Sequence, residues 1–437
     1  MGAGSAVFAR QLMTDILSIE GLDPGTFALV DVDPDRLVVA RRIAERLAAQ
    51  FGRDWAVVAS TDRTDVLAGS DFVINSIEVA GRPNVRHDYD IPLKYGVDQC
   101  IGDTIGPGGI FKALRTGPAW LDIARDVARL CPDAIVMNYT NPMSILTLAA
   151  VRATGLQVVG LCHSVQSTSR LLARYLDVPY DELRWRCAGI NHNAWFTELT
   201  RDGQDQYPRL RAAAGRPEVY EQDPVRFETM LRLGAFVTES SGHFSEYVPY
   251  FRKRPDLVRR YSRDGYLGES GFYARNWPLW QERHRRLAED WASGEQDLPA
   301  ERSHEYGADI VEATVLGRRA VIHGNVENVG MVDNLPRGGC VEVACLVDRN
   351  GVQGTNAGSL PEQLAALNRA HMAVHELMVG ALLERDRRGA LYALMLDPLT
   401  AAVCSLEEIE RMFDEMWEVQ RPYLGAFDRD STPRVVR

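Results

Sequence analysis

The sequence has no long apolar run and no excess of positive charge. None of its apolar segments approaches the ~20 residues that cross a bilayer, and no charged stretch followed by an apolar core opens the chain. The 49 Lys and Arg residues are outnumbered by 60 Asp and Glu residues, which gives a net charge of −11. An acidic surface disfavours phosphate backbones and anionic lipids. We therefore expect a cytoplasmic protein that binds neither nucleic acid nor membrane.

Disulfide bonds are not indicated either. The cysteines are odd in number and scattered along the chain, and they are Cys100, Cys131, Cys162, Cys187, Cys340, Cys345 and Cys404. This pattern is typical of free thiols in a reducing compartment rather than of a disulfide framework. The chain also lacks internal repeats and low-complexity tracts, which argues against solenoids and long disordered linkers.

The chain does have length and a regular alternation of strands and helices. Its 437 residues, 46% of them hydrophobic, are enough for two or more domains with large cores. Short apolar strands are predicted at 27–31, 56–60, 72–77 and 134–138. Helical patterns separate them, and this alternation predicts an α/β fold with a doubly wound parallel sheet.

The chain opens on a glycine turn, Gly2-Ala3-Gly4-Ser5, and a helical pattern follows from Ala6 to Ile19. The next strand ends at Asp31. Turn, helix, strand and acidic residue follow the order of a dinucleotide-binding unit, in which backbone N–H groups approach the pyrophosphate and the carboxylate holds a ribose hydroxyl. The strand expected before the turn is missing. Either the true chain begins further upstream or the strand is lost; we favour the former, because loss would expose neighbouring strand edges.

Polar side chains follow the predicted strands at their carboxyl ends, where doubly wound sheets bind ligands. These residues are Ser76, Asn138 and Asn141. For Asn141, contact with ligands and a simple Asx turn before Pro142 are equally well supported by the sequence. The glycine-rich stretch Gly102–Phe111 predicts a loop that closes on a ligand.

The most unusual residues follow an apolar run at 157–161. Cys162 and His163 end that run, and His192 lies about thirty positions further on. Cys and His suit a divalent transition metal, although a free Cys is more often a small buried hydrophobe. Two ligands are too few for a structural zinc site, so the pattern indicates at most one face of an open catalytic metal site.

The second half of the chain mixes strands and helices. Strands are predicted at 185–190, 195–199, 321–329 and 339–347, a surface excursion at 201–224, and helices at 361–384 and 406–420. The stretch Glu239–Tyr250 concentrates an acid, an imidazole, hydroxyls and two phenols. On the first of the late helices, His371 and His375 are predicted to be surface or satisfied core positions.

Taken in order, these motifs resemble those of glycoside hydrolase family 4, the NAD- and metal-dependent glycosidases. The resemblance covers nearly the whole chain and depends on the set, since each motif is weak alone. The motifs are Gly2-Ala3-Gly4-Ser5, Asp31, Asn141-Pro142-Met143, Gly160-Leu161-Cys162-His163-Ser164-Val165, Gly189-Ile190-Asn191-His192, and Asn325-Val326 through Asp333-Asn334-Leu335-Pro336. Within this set, the tetrapeptide Cys162-His163-Ser164-Val165 resembles the α-galactosidase branch, as does Glu239-Ser240-Ser241 with His243 and Glu246-Tyr247.

The resemblance implies a Rossmann-type NAD-binding domain at 1–160 and an α+β catalytic domain at 161–437, as in lactate and malate dehydrogenase-like folds. It implies NAD and Mn²⁺, or another divalent metal, as cofactors, and α-galactosides as substrates. In this family, hydride leaves C3 of the sugar, a base removes the C2 proton, the leaving group is eliminated, water adds, and hydride returns; this route differs from the usual two-carboxylate scheme.

Roles for individual residues follow from the same resemblance. Cys162 and His192 are expected to hold the metal, and Tyr247 to remove the C2 proton. His163 is expected to protonate the leaving group or to bind a sugar hydroxyl. The expected NAD-binding residues are Gly2, Gly4, Ser5, Asp31, Ser76 and Asn138, and the expected substrate-binding residues are Asn141, Asp103, His243 and Glu246.

Several alternatives stay open at this point. An α-galacturonidase shares the mechanism and differs in placing a cation near C6 of the sugar. A hydroxy-acid dehydrogenase releases NADH, and a non-catalytic dinucleotide-binding paralogue has no turnover. Because the family commonly forms dimers or tetramers, we also expect a homodimer or homotetramer that takes a small carbohydrate as its ligand.

Overall fold

A computed structural model describes residues 1–427, except for the side chains of Arg82 and Pro83. Within this range the strands are β1 (Thr26–Val30), β2 (Ala56–Ser60), β3 (Phe72–Asn75), β4 (Ile135–Asn138), β5 (Val158–Gly160), β6 (Arg184–Ile190), β7 (Asn193–Arg201), β8 (Gln204–Asp205), β9 (Phe236–Val237), β10 (Ala320–Glu327), β11 (Cys340–Asp348) and β12 (Gly351–Gly354).

The helices alternate with strands in the first half and dominate the end of the described chain. They are α1 (Ala6–Leu17), α2 (Pro34–Gln50), α3 (Gly81–Lys94), α4 (Gly106–Leu130), α5 (Met143–Thr154), α6 (Ser164–Leu176), α7 (Tyr207–Ala214), α8 (Pro217–Tyr220), α9 (Pro224–Leu233), α10 (Ser241–Tyr247), α11 (Pro255–Tyr261), α12 (Phe272–Ser293), α13 (Tyr306–Leu316), α14 (Glu362–Glu384), α15 (Arg387–Leu396), α16 (Pro398–Val403) and α17 (Leu406–Gln420). The predicted α/β class is confirmed.

Most strands form one mixed sheet in the order β3-β4-β5-β10-β11-β6-β7-β8, while β1 and β2 pair separately and in parallel. The strands β3, β4 and β5 are parallel, and the pairings beyond β5 are antiparallel. The sheet crosses the domain boundary predicted at 160, because Asn325 of β10 pairs with Gly160 of β5. The second half of the chain therefore continues the sheet of the first half, and this continuity joins the two halves at the end of β5.

The first three residues lie between β1 and β3. The N–H groups of Gly2 and Ala3 both donate to the Val30 carbonyl, at 2.9 and 3.0 Å, and the Met1 amine donates to the Ile74 carbonyl at 2.9 Å. Between residues 1 and 427, no other strand separates β1 from β3. Met1–Ala3 therefore occupies the carboxyl end of the position that the first strand of a Rossmann unit takes.

The glycine-rich stretch differs from its prediction as a loop, because Gly106–Phe111 forms the first turns of α4. The reason is close backbone packing. A Cβ at Gly108 would lie 2.1 Å from the Gly102 carbonyl oxygen, and one at Gly109 would lie 2.4 Å from the Thr104 carbonyl carbon. The glycines thus let the loop at 99–105 fold back onto the helix, and only that shorter loop reaches the site.

The segment predicted as a surface excursion at 201–224 is largely exposed but contains regular elements, namely β8, α7 and α8. Tyr207 and Leu210 of α7 are buried, and the Tyr207 hydroxyl donates to the Phe196 carbonyl. These elements are two to eight residues long, too short to show a periodicity that distinguishes them from a loop.

A buried ion pair anchors α10, the helix that carries several site residues. Asp223 accepts two bonds from Arg226, at 2.8 and 2.6 Å, and a third from the hydroxyl of Ser241 at the start of α10, at 3.0 Å. Both charged side chains are at most 6% exposed. Because removal of one partner leaves a buried charge unpaired, we expect Arg226→Met to lower the free energy of unfolding by about 3–5 kcal/mol.

Urea denaturation checks this expectation, and Arg232→Met is the matched control. Arg232 pairs with Glu228 but is 74% exposed, so its loss is expected to cost at most about 1 kcal/mol. Equal effects of the two substitutions would contradict the anchoring role of Asp223 and Arg226.

In the part of the chain that the structure describes, no helix combines the length and the apolar character needed to cross a membrane.

Candidate active site

Three side chains from distant parts of the chain converge beyond the end of β5. Cys162 follows β5 by two residues, His192 lies in the turn between β6 and β7, and Glu239 precedes α10. The His192 Nε2 atom lies 3.2 Å from the Cys162 Sγ atom and 3.4 Å from a Glu239 carboxylate oxygen. Sulfur, imidazole and carboxylate ligand atoms all lie within 4.8 Å of one another. The sequence predicted the first two of these residues as ligands and missed Glu239.

The electrostatics of this cluster suit a cation. Burial opposes ionisation of the Cys162 thiol, but the adjacent His192 outweighs it and lowers the pKa of the thiol to about 7. Burial likewise opposes the charge on Glu239, yet His192 and His243 lower the pKa of its carboxyl. Thiolate, imidazole and carboxylate form a donor set that binds Mn²⁺ or Zn²⁺. With three protein donors, the site fits a divalent metal and leaves coordination positions for a substrate.

Tyr247, the last residue of α10, lies beside this cluster. Its ring centroid is 6.3 Å from that of His192 and 5.5 Å from that of His243. The phenol is 1% exposed, and its oxygen has no hydrogen-bond partner within residues 1–427. Burial and the nearby carboxylates, Glu239 first, raise the pKa of Tyr247 well above 10. The phenolate therefore forms only when a cation is bound close by.

His243 closes the cluster from the side of α10. Its ring centroid is 4.8 Å from that of His192, and its Nε2 atom is buried without a partner among the described residues. Burial and then the repulsion of His192 lower the pKa of His243 to about 4. The imidazole is therefore neutral at neutral pH and can donate to or accept from a ligand hydroxyl.

A second polar group faces the cluster from the loop before α4. Asp103 lies 3.2 Å from the Lys112 ammonium, which is also 3.2 Å from Glu78, and it accepts a bond of 3.4 Å from the Asn141 amide. Burial opposes its charge, but Lys112 and His243 outweigh burial and lower the pKa of Asp103. The side-chain oxygen of Asn141, Oδ1, is buried without a partner within the described chain. The structure therefore places Asp103 and Asn141 together, with an unused acceptor; Lys112 was not anticipated from the sequence.

Glu246 lies under the loop that carries Asp103. Its carboxylate accepts bonds from the backbone N–H groups of Cys100, Ile101 and Gly102, at 2.5, 2.6 and 3.0 Å. Burial raises the pKa of Glu246 to about 7, although Arg252 and these three donors oppose the shift. This geometry holds the loop in place.

His163 is not part of the cluster of Cys162, His192 and Glu239 and pairs instead with Glu305. The two side chains share a short hydrogen bond, and Glu305 also accepts a bond from Gln11 at 3.3 Å. The hydrogen bond to Glu305 raises the pKa of His163 against the effect of burial. Glu305 is separated from His163 by 142 positions and stands in no motif, so nothing in the sequence could have identified it.

His371 is a further residue that the sequence analysis did not connect with the site. It is buried, and its Nε2 atom lies 2.6 Å from the Tyr247 carbonyl oxygen, with 4.9 Å between the two ring centroids. Its Nδ1 atom has no hydrogen-bond partner among the described residues. If this contact positions Tyr247, His371→Leu lowers kcat by about 10- to 100-fold with little change in KM, since small displacements of a catalytic group have effects of this size.

The control for this prediction is the conservative variant His371→Gln, which retains a donor for the Tyr247 carbonyl and should recover part of kcat. His375→Leu, one helical turn further along α14, removes a buried histidine that makes no ring contact or hydrogen bond with Tyr247 in the described part of the chain. A kcat that falls equally in both leucine variants contradicts a specific positioning role.

The amino-terminal residues form a cradle at the start of α1. The Gly4 N–H donates to Asp31 at 2.7 Å, and Gly2 has a φ of +79°, with Ser76 so close that a Cβ would lie 2.7 Å from its carbonyl oxygen. The side chain of Ser5 makes no capping bond, so the first N–H groups of α1 remain available for an anion such as a pyrophosphate. The arrangement fits a dinucleotide.

Asn138 differs from the other residues expected to bind the cofactor. It is completely buried, and its amide bonds to Asn75, Thr140 and Thr147 at 2.8 to 3.3 Å. These bonds join the carboxyl ends of β3 and β4 and thereby shape the floor on which a ligand can rest.

Comparisons with known proteins agree with this geometry. The chain matches the model of the family 4 glycosyl hydrolases over residues 1–178 and the model of their C-terminal domain over residues 187–400. It is 40% identical to an α-galactosidase of Bacillus subtilis (strain 168) over 433 residues, which cover 98% of each chain. It is 30% identical to an α-galacturonidase of Thermoanaerobacterium saccharolyticum, with 98% of this chain and 96% of the relative covered.

Solved structures show the same architecture. A Bacillus subtilis protein described as a glucosidase is 28% identical, with a TM-score of 0.84 over 95% of this chain and 98% of its own. A 6-phospho-α-glucosidase from gut microorganisms, solved with NAD and Mn²⁺, has a TM-score of 0.78 at 20% identity over 96% and 97% of the two chains. A lactate dehydrogenase from Cryptosporidium parvum, at 14% identity and a TM-score of 0.50 over 87% and 95%, shares the fold.

These similarities confirm the expected dehydrogenase-like fold and exclude a hydroxy-acid dehydrogenase as the family of this protein, since both family models belong to glycosidases. Their ranges together cover most of the chain, from the glycine turn to α16. The chain belongs to the family 4 glycosyl hydrolases.

Proposed function

We propose that this protein hydrolyses α-galactosides with the help of NAD⁺ and a divalent metal, Mn²⁺ in the first instance. The observation that carries the proposal is the convergence of Cys162, His192 and Glu239 beside Tyr247. The identity of 40% to an α-galactosidase over the whole chain supports the substrate class. When bound, NAD⁺ accepts and returns a hydride, and the metal polarises the sugar oxygens that it contacts.

The protein side chains supply binding and proton transfer. Tyr247, as a phenolate, takes the proton from C2 of the sugar and returns it to C2 when water adds at C1. His163, whose pKa is raised by its hydrogen bond to Glu305, gives a proton to the leaving oxygen and takes one from the water that replaces it. Asn141, Asp103 and His243 orient the sugar hydroxyls, and Gly2, Gly4, Ser5, Asp31 and Ser76 hold the dinucleotide. Asn138 holds the carboxyl ends of β3 and β4 together through its hydrogen bonds, and Glu246 fixes the loop that carries Asp103.

A neutral sugar suits the charges of this site better than a uronate does. Lys112 is the ammonium at the site, and two carboxylates, Glu78 and Asp103, already flank it at 3.2 Å. A third carboxylate at C6 of the sugar adds repulsion, because the single positive charge of Lys112 is already balanced by these two carboxylates. We therefore expect kcat/KM for an α-galactoside to exceed that for the matching α-galacturonide by at least about 100-fold. Parallel assays of the two p-nitrophenyl glycosides check this, and equal rates would favour the galacturonidase alternative.

The central test of the proposal is an assay of p-nitrophenyl α-galactoside hydrolysis with NAD⁺, Mn²⁺ and a reductant, each omitted in turn. Hydrolysis is expected to need NAD⁺ and the metal, with no net formation of NADH. A non-catalytic paralogue is supported instead if the complete mixture gives no turnover while NAD⁺ still binds. A stoichiometric release of NADH would contradict the glycosidase mechanism.

Two further properties are proposed with the activity. Because Cys162 must stay reduced to bind a metal, we place the protein in a reducing compartment such as the cytoplasm. We also propose a homodimer or homotetramer, the arrangement common in the family. Sedimentation of the purified protein checks the second proposal, and a monomer at micromolar concentration would overturn it.

A further inference from the structure

One line of paired residues crosses the four strands that lead to the metal-ligand cluster. Gly160 of β5 pairs with Asn325 of β10, and Asn325 pairs with Glu342 of β11. Glu342 in turn pairs with Gly189 of β6. Directly paired residues project from the same face of a sheet, so the Asn325 and Glu342 side chains lie side by side between two glycines. Because β5 leads to Cys162 and β6 to the turn with the imidazole ligand, the line places a carboxyl group between the strands that carry two of the ligands.

Glu342 is a buried carboxyl group that has no part in the roles proposed above. Its exposure is 0%. Its Oε1 atom accepts a bond of 3.4 Å from the Asn325 amide, whereas its Oε2 atom has no hydrogen-bond partner within residues 1–427. Burial and then the negative charge of Cys162 raise the pKa of Glu342 well above its ordinary value, and His192 opposes them. The carboxyl group is therefore close enough to both ligands for their charges to act on it, and it retains an acceptor oxygen in either protonation state.

His192 has an unused ring nitrogen on the side opposite the ligand cluster. Its Nε2 atom faces Cys162 and Glu239, at 3.2 and 3.4 Å, while its Nδ1 atom is buried without a partner among the described residues. Binding of a metal through Nε2 leaves the ring proton on Nδ1, and a buried N–H group needs an acceptor. The backbone of His192 also has a φ of +62°, which is rare for a residue other than glycine. The orientation of this ring therefore has to be imposed by its surroundings.

Several buried acceptors without a partner surround this turn. They are the side-chain oxygens of Asn191, Asn193 and Asn325 and the Oε2 atom of Glu342. Buried polar atoms that lack a direct protein partner are commonly joined by ordered water. Glu342 differs from the three amides because it can carry a negative charge, and hydrogen bonds to charged acceptors are the stronger ones. A carboxylate is also a usual partner for the second nitrogen of a metal-bound histidine.

We propose that Glu342 is a positioning residue of the metal site. A bridging water accepts a hydrogen bond from Nδ1 of His192 and donates one to Oε2 of Glu342, which holds the imidazole with Nε2 toward the metal. This inference rests on the proposed ligands Cys162, His192 and Glu239 and adds a group that contacts neither the metal nor the substrate.

The test compares two substitutions of Glu342 in the reduced protein. For Glu342→Leu we expect Mn²⁺ binding, followed by the electron paramagnetic resonance of the free ion, to weaken by about 10- to 100-fold. Leucine is similar in size and removes a buried polar atom that has no partner, so the urea midpoint of the metal-free protein should stay the same or rise. Glu342→Gln keeps an acceptor oxygen and should recover most of the Mn²⁺ affinity.

Val343→Ala is the matched control on the same strand. Val343 is also buried, but as the next residue on β11 it faces the opposite side of the sheet. Its truncation is expected to lower the urea midpoint, because it leaves a cavity in the core, and to leave Mn²⁺ affinity unchanged. The two leucine and alanine variants should thus show opposite patterns of stability and metal binding.

The inference is overturned if Glu342→Leu binds Mn²⁺ as the wild type does. It is overturned equally if the loss of affinity comes with a lower urea midpoint, or if Glu342→Gln does not recover it, since both results indicate a merely structural role. A loss in Asn191→Ala but not in Glu342→Leu would assign the acceptor to the turn itself. If the wild type binds no Mn²⁺, or if Cys162→Ala binds it normally, the proposed ligand set fails instead, and the role of Glu342 falls with it.

Discussion

Cys162→Ala is expected to weaken Mn²⁺ binding by at least about 100-fold and to reduce α-galactoside hydrolysis to background. The thiolate is the softest of the three converging donors, and its loss leaves His192 and Glu239 as a two-ligand site. Glu239→Gln keeps the shape of the side chain but removes its charge, so we expect a smaller loss of affinity, about 10-fold. Titration of the reduced protein with Mn²⁺, followed by the electron paramagnetic resonance of the free ion, measures binding without any turnover.

The control for this experiment is Cys404→Ala, which removes a buried free thiol near α16 and α17. It should bind Mn²⁺ as the wild type does. Unchanged affinity in Cys162→Ala would show that the metal lies elsewhere. Unchanged affinity in Glu239→Gln, with loss in Cys162→Ala, would restrict the protein ligands to Cys162 and His192, the pair that the sequence predicted.

Tyr247→Phe is expected to lower kcat by about 100- to 10,000-fold, the contribution typical of a general base. The substitution removes one oxygen that has no protein partner within residues 1–427, so folding should be unaffected. Substrate deuterated at C2 tests the role directly. In the wild type, a deuterium isotope effect shows that removal of the C2 proton limits the rate, and in Tyr247→Phe the slowed step should show an isotope effect at least as large.

Tyr250→Phe is the matched control, since Tyr250 is close in sequence and 47% exposed. Full activity in Tyr247→Phe would disprove the assignment of the base.

Because burial and Glu239 raise the pKa of Tyr247 well above 10, metal removal by a chelator should also abolish proton exchange at C2 in the wild type. Exchange that persists without metal would indicate a different base.

Some of the site could be predicted from the sequence because its signals are local. The glycine turn, Asp31 and the strand ends follow one another within short segments, so their alternation specified the sheet and the dinucleotide cradle. Cys162 and His192 stand out because soft ligands at strand ends are chemically unusual. The tetrapeptide that begins at Cys162 separated one branch of the family from another. These features depend on residue type and spacing, which a sequence contains.

The tertiary structure alone decided which distant residues complete the site. Glu305 reaches His163 across 142 positions, and His371 reaches the Tyr247 carbonyl across 124. Neither contact has a sequence signal, because a helix or loop far along the chain approaches only when the sheet orders its strands. The same holds for the glycine-rich stretch, where backbone packing against residues 102–104 turned an expected loop into the start of α4.

The sequence by itself thus determined the fold class and the family and predicted two metal ligands, Cys162 and His192, since each depends on local pattern and residue chemistry. The tertiary structure decided that Glu239 joins Cys162 and His192, that Glu305 pairs with His163, and that His371 contacts Tyr247. The physical reason is that pairing β10 with β5 brings residues after position 300 to the end of the first half of the sheet. No spacing along the chain encodes that proximity.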